Sequence, residues 1–193
     1  MSFACHINLV STHISRFTGI FHHLRKIVPL SVLKTLYHSF IVPHIVLHIE
    51  IWGAAPETYM NKISIKQNKL LRAILGIQVI DGRPVGRVVD MYRNFNVLTV
   101  KNIFQLQLFK FLMYVLNENP QFYNFLLRPL ETTHAYRTRG GDYRQPMLTC
   151  EVQRRGVINQ LVLKLSEANI TELTTLQPRA AIKRYKRSLL HYQ

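Results

Sequence analysis

Apolar residues recur at helical spacing along most of this chain. Ile14, Phe17, Phe21, Leu24 and Val28 stand three or four positions apart, and Pro29 then breaks the run. Such a period puts the side chains on one side of an α-helix, so residues 11–28 are expected to form an amphipathic helix. Ser31 opens a second helix, whose apolar positions are Leu33, Leu36, Tyr37, Phe40 and Ile41. Pro43 has no N–H to donate and should kink or end that helix near Phe40. From Ile45 to Trp52 the run is apolar and partly β-branched, which fits a continued helix or a buried strand equally well. Gly53 to Pro56 is a turn.

The next helix is expected over Thr58 to Leu75, with Met60, Ile63, Leu70, Leu71 and Ile74 on its apolar side. Gly76 stands where a left-handed cap would stop it. Asp81-Gly82-Arg83-Pro84 has turn chemistry, a shorter helix is expected over 85–94, and Thr99 can cap a long one. That helix would turn Val100, Ile103, Phe104, Leu106, Phe109, Met113 and Leu116 toward a core and end at Asn119-Pro120. A further turn or two of helix covers Phe122 to Leu127. Pro129 to Cys150 carries Gly140-Gly141, Pro146 and three arginines with little periodicity, as an extended basic loop does. Residues 151–168 give a weak helical pattern, and Arg179 to Tyr192 forms a final basic helix with Ile182, Tyr185 and Leu189 on one face.

Composition narrows the partner class. The 193 residues are 48% hydrophobic, enough for a true core, and 25 Lys plus Arg stand against 10 Asp plus Glu, a formal charge of +15. That imbalance favours polyanionic partners such as nucleic acid, or acidic membrane surfaces, and does not choose between DNA and RNA. Two cysteines, Cys5 and Cys150, are too few for a disulfide framework. The N-terminus lacks the charged start and apolar run of a secretory signal, so an intracellular setting is expected. Thr35 to Ile49 is free of Lys, Arg, Asp and Glu, but Pro43 and three histidines interrupt it. It also falls short of the roughly 20 residues that cross a bilayer, and no membrane association is expected.

Catalytic signals are sparse. Nucleotidyl transfer needs paired carboxylates to hold two metal ions, and the only aspartates, Asp81, Asp90 and Asp142, have no acidic neighbour. Cys5, His6, His13, His22 and His23 cluster in sequence, but no second cysteine lies near Cys5 and the spacing does not match a structural zinc site. Gly82 to Gly86 lacks the Lys-Ser/Thr step of a phosphate-cradling loop. The expectation is therefore no catalytic residue, no metal, no cofactor and no small-molecule substrate.

Basic constellations are more informative. Lys62, Lys66 and Lys69 stack along one face of the 58–75 helix with Arg72 at its edge, a stripe able to follow a phosphate backbone. Arg137, Arg139 and Arg144 interleave with Tyr143, a pattern suited to stacking on an unpaired base. Arg179, Lys183, Arg184, Lys186 and Arg187 make the last helix a third cationic patch, equally compatible with packing or a membrane surface.

Several ordered segments form a family signature. Tyr37, Ser39, Phe40, Ile41, Pro43 and His44 are followed after seven residues by Trp52-Gly53, and later by His134-Ala135-Tyr136-Arg137-Thr138-Arg139. Upstream come Ile14, Gly19-Ile20, Leu24-Arg25, Pro29-Leu30, Leu33 and Leu36; downstream come Gln67, Arg72 and Ile74, then Leu106, Lys110, Phe111 and Tyr114. In this order they resemble the segment after the palm in reverse transcriptases of non-LTR (LINE-type, jockey-like) retrotransposons. The family's Leu-Pro pair is reversed at Pro29-Leu30. Its Gly-x-x-x-Phe/Trp-Asn-x-Leu-Pro segment loses its Gly, Asn and Pro at 161–169, and Glu50 places a charge in an apolar stretch.

The resemblance implies a piece of an RNA-directed DNA polymerase without its chemistry, since the metal-binding aspartates lie upstream of this segment. Beginning at a methionine internal to the homologous polyprotein, the chain is expected to be the remnant of a truncated insertion. The expected fold is mainly α: a thumb-like helical bundle over 1–128, a basic loop over 129–150 and a small basic helical appendage over 151–193. Its partners would be RNA or DNA and a missing palm domain. The alternative is a helical protein–protein interaction module, or a non-functional remnant, whose apolar faces pack on that missing domain.

Overall fold

The computed structural model describes residues 3–77, 79–80, 83–84, 87–118, 121, 156, 159–160 and 176–191. The fold is mainly helical. In chain order the elements are α1 (Ala4–Leu24), α2 (Leu30–Leu36), a π-helical turn (Tyr37–Ile41), α3 (Val42–Val46), α4 (Ile49–Trp52) and α5 (Glu57–Leu75). A two-residue antiparallel pair follows, β1 (Val79–Ile80) with β2 (Arg83–Pro84), and then α6 (Val88–Phe95), α7 (Val100–Glu118) and α8 (Pro178–His191). The 129–150 loop and the 122–127 helix lie outside the described residues, as do the boundaries expected at 128 and 150.

Two compact units divide the chain. The first is Met1–Phe104 with Leu189–Gln193, the second Gln105–Ser188. In the first, α1 begins seven residues earlier than the sequence suggests, because Ile7 and Val10 extend the buried stripe of Ile14 and Phe21. The polar Ser11 to Ser15 region looks like a helix start, but Thr12 and Ser15 donate back to the carbonyls of Asn8 and Ser11 at 2.9 Å, so the helix runs through it. It stops at Leu24 rather than 28, in a turn that leads into the extended Pro29.

Pro43 does not end the second helix. The π turn at Tyr37–Ile41 carries the chain into α3, and Leu33, Tyr37, Ile41, Ile45 and Ile49 are all buried at a strict four-residue interval. In an α-helix, residues four apart creep about 40° around the axis at each step; one wider i→i+5 turn returns part of that drift and keeps the line facing the core. The same turn rotates Phe40 outward, so it is 49% exposed where the sequence places it on the apolar face. Ile45 to Trp52 is helical, broken at Leu47-His48, where His48 is left-handed with φ 54°. The Trp52 indole N–H donates to the Leu47 carbonyl at 2.7 Å, which satisfies both the buried ring and the open turn. Gly53 follows because a Cβ there would overlap the Phe104 ring and the Ile49 carbonyl.

One buried polar side chain ties this unit together. Gln67, fully enclosed on α5, donates to the Tyr37 hydroxyl at 2.7 Å and to the Leu98 carbonyl at 2.9 Å. Its Oε1 accepts from the Tyr92 hydroxyl at 2.9 Å and the Val100 N–H at 3.2 Å. All four hydrogen-bonding capacities of the amide are used. They join α5 to the π turn, to α6 and to the start of α7. Burial pushes the Tyr37 phenol up to about 12, against a lowering by its bond to Gln67. Burial also raises Tyr92, reinforced by Tyr37 and opposed by Arg72.

Thr99 caps α7 as expected, its hydroxyl accepting from the Asn102 N–H at 3.2 Å. In the second unit α7 buries Leu106, Leu108, Phe109, Leu112, Met113 and Val115. There Tyr185 of α8 packs on Phe109 with ring centroids 4.4 Å apart.

Candidate nucleic-acid interface

Within the first unit, α1 and α5 pack along each other and leave an open groove of about 820 Å3 between them. Three of the four residues of the expected stripe line it: Lys66, Lys69 and Arg72. Across from them α1 contributes Arg25 with His22 and His23, which sequence periodicity alone did not assign to any site. Among the described residues, no acidic side chain lines the groove. Lys62 is different. It is exposed on α5 but outside the groove lining, its ammonium 5.2 Å from the centre of the Tyr59 ring in a cation–π contact.

Local structure fixes the far end of the groove. Gly76 ends α5 with φ 70°, and the N–H groups of Gly76 and Ile77 both close on the Arg72 carbonyl. Arg25 Nη1 reaches the Ala73 carbonyl at 3.5 Å, placing a cation at the negative end of the α5 dipole. A Cβ at residue 76 would overlap that guanidinium. The positive φ favours glycine here, and a side chain at 76 would make the Arg25 guanidinium shift from its place at the helix end. Arg25 retains further N–H donors beyond the one that meets Ala73.

Arg72 has a second tie. Its Nε is buried without a hydrogen-bond partner, and its charge is near enough to oppose the raised Tyr92 phenol. Ser15 and Thr18 also line the groove, their hydroxyl hydrogens already committed to the carbonyls of Ser11 and Ile14. His22 and His23 are exposed, with rings edge-on at 5.8 Å. The arrangement provides charge and donors for an anion, with exposed rings beside it.

The other expected patches behave differently. On α8, Arg179, Lys183, Arg184, Lys186 and Arg187 are all exposed, while Ala181 and Tyr185 are buried, so the cations form the solvated face of an amphipathic helix. Arg137, Arg139 and Arg144 lie outside the described residues. Asp90 is exposed in the first turn of α6, and Asp81 and Asp142 are outside the described residues. Among the described residues, no three His, Cys, Asp or Glu side chains gather where a metal ion could be held. Among them also, no helix is long and apolar enough to cross a membrane.

No family model, curated protein or solved structure matches this chain.

Proposed function

We propose that the chain is a non-catalytic nucleic-acid-binding region, derived from the post-palm part of a non-LTR retrotransposon reverse transcriptase, and that the α1–α5 groove is its principal contact surface. The observation that carries this reading is the convergence of Arg25, Lys66, Lys69 and Arg72 on one groove that has no carboxylate among its described lining residues. Four cations facing a shared groove attract phosphate more strongly than the same charges spread over a surface. The formal +15 adds long-range attraction.

Residues of the family signature support the derivation. Arg25 and Arg72 line the groove, Tyr37 and Gln67 meet in the buried network, and Trp52-Gly53 forms the corner beneath Phe104. In the parent enzyme the region would hold template and primer by charge and stacking, while the bond-making carboxylates sit elsewhere. A second reading, an interaction module, rests on the exposed Phe40, Leu47 and Ile51, which are 49%, 53% and 54% accessible along one stretch of chain.

The test is binding of a labelled oligonucleotide across a salt series. Replacing Lys62, Lys66 and Lys69 by Gln should weaken binding and flatten the log–log salt slope by about 0.7–0.9 for each phosphate no longer neutralised. Because Lys62 stands outside the groove lining, most of the change should come from Lys66 and Lys69. A slope unchanged by the triple substitution would show the stripe to be only a solvated helix face.

A further inference from the structure

We infer that the α1–α5 groove holds a single unpaired strand, phosphates on the cations and a base against His22 and His23, with the strand lying on the α1 backbone at Gly19. This rests on the nucleic-acid reading above and names the form of nucleic acid the groove takes.

Gly19 is the first observation. It sits in the interior of α1, where glycine weakens a helix relative to alanine. Gly76 is the positive-φ glycine among the described residues, so the backbone at 19 does not call for one. Packing does not call for one either, since a Cβ built there meets nothing within 4 Å. The open space it leaves is the groove, which Gly19 lines. A missing side chain on a groove wall lets another backbone approach closely.

Groove size and lining supply the rest. A volume of about 820 Å3 is that of a site for a small organic molecule or a short stretch of one strand. Neighbouring packed helices stand about 8–10 Å apart, whereas the major groove of a duplex is itself about 12 Å wide and admits an entire helix. A duplex laid on this surface would therefore rest on the rims, and one strand can enter between Arg25 on one wall and Lys66 and Lys69 on the other. Unpaired bases stack on imidazole rings and on guanidinium planes. His22, His23 and Arg25 offer both, and Ile65, 63% exposed in the lining, offers an apolar surface to a base face.

The experiment compares fluorescence anisotropy of a labelled single-stranded 12-mer and its duplex, at one fixed salt concentration, for wild type, Gly19→Ala and Gly19→Leu. Neither substitution changes charge, and both replace glycine with a better helix former in open space, so the folded state is retained; a denaturant melt of each variant verifies it. The wild type should bind the single strand about tenfold more tightly than the duplex; Gly19→Ala, which puts one Cβ on the groove wall, should lose a few-fold on the single strand and Gly19→Leu about tenfold, with duplex binding unchanged in both, tenfold being a free-energy change of about 1.4 kcal/mol. Single-strand binding undiminished in Gly19→Leu, or duplex binding as tight as single-strand binding, overturns the inference while the nucleic-acid reading stands. Failure of the wild type to bind either probe overturns both.

Discussion

Replacing Gln67 by Leu should cost the first unit about 3–5 kcal/mol, because three buried groups lose their partners at once. The Leu98 carbonyl, the Val100 N–H and the Tyr37 hydroxyl all bond to this one amide, and leucine returns nothing to any of them. Tyr92 is partly protected, since its hydroxyl also lies 2.7 Å from Asn68 Oδ1. Against a typical domain stability of about 5–15 kcal/mol, that loss is a large share of the whole. In a urea melt the midpoint should fall far more than for Tyr37→Phe, which gives up one hydroxyl and about 1–2 kcal/mol. Equal midpoints for Gln67→Leu and wild type would show that the network adds little to the fold.

The same buried phenols should make the protein unfold in alkali. Tyr37 ionises at about 12 in the folded chain, mainly because burial disfavours its anion, whereas a free tyrosine ionises near 10. The folded value is raised, so the contribution is complete below pH 10, declines as pH rises above it, and is gone once pH passes through 12. A shift of about two units corresponds to roughly 3 kcal/mol for this fully enclosed group. Tyr92 is displaced in the same direction, also chiefly by burial, and adds to the loss. Phenolate absorbance should therefore show a late component that rises together with the loss of helical circular dichroism between pH 10 and 12. Full phenolate formation with helicity intact would contradict the enclosed network.

Much of the helical order is legible in the sequence because it follows from local rules. The stripe of Ile63, Leu70, Leu71 and Ile74, the Gly76 stop and the Thr99 cap each depend on spacing or backbone chemistry within a few residues. The π turn is not local in this sense. Pro43 announces a disturbance, but whether the chain ends, kinks or widens depends on which outcome keeps Ile41, Ile45 and Ile49 facing the core. Gln67 was hidden for a related reason. Between Lys66 and Asn68 it has the look of a solvated position, and its partners arrive from 25 to 33 residues away.

The candidate site was half legible. Lys66, Lys69 and Arg72 stand out by helical spacing on α5, and nothing along the chain places Arg25, His22 and His23 opposite them. That juxtaposition comes from the packing of α1 on α5, with Arg25 drawn to the carbonyl end of the helix. Lys62 belongs to the same periodic stripe yet turns to Tyr59, because a four-carbon stem lets its ammonium reach a neighbouring ring one turn away.

The most direct measurement is photo-crosslinking of a single-stranded RNA bearing 4-thiouridine, with the adducts mapped by mass spectrometry. Adducts on the groove walls, at His22 and His23 of α1 and around Ile65 of α5, are the predicted result. Adducts confined to Arg179–Arg187 of α8, or none on α1 and α5, would contradict the assignment of the groove as the nucleic-acid contact.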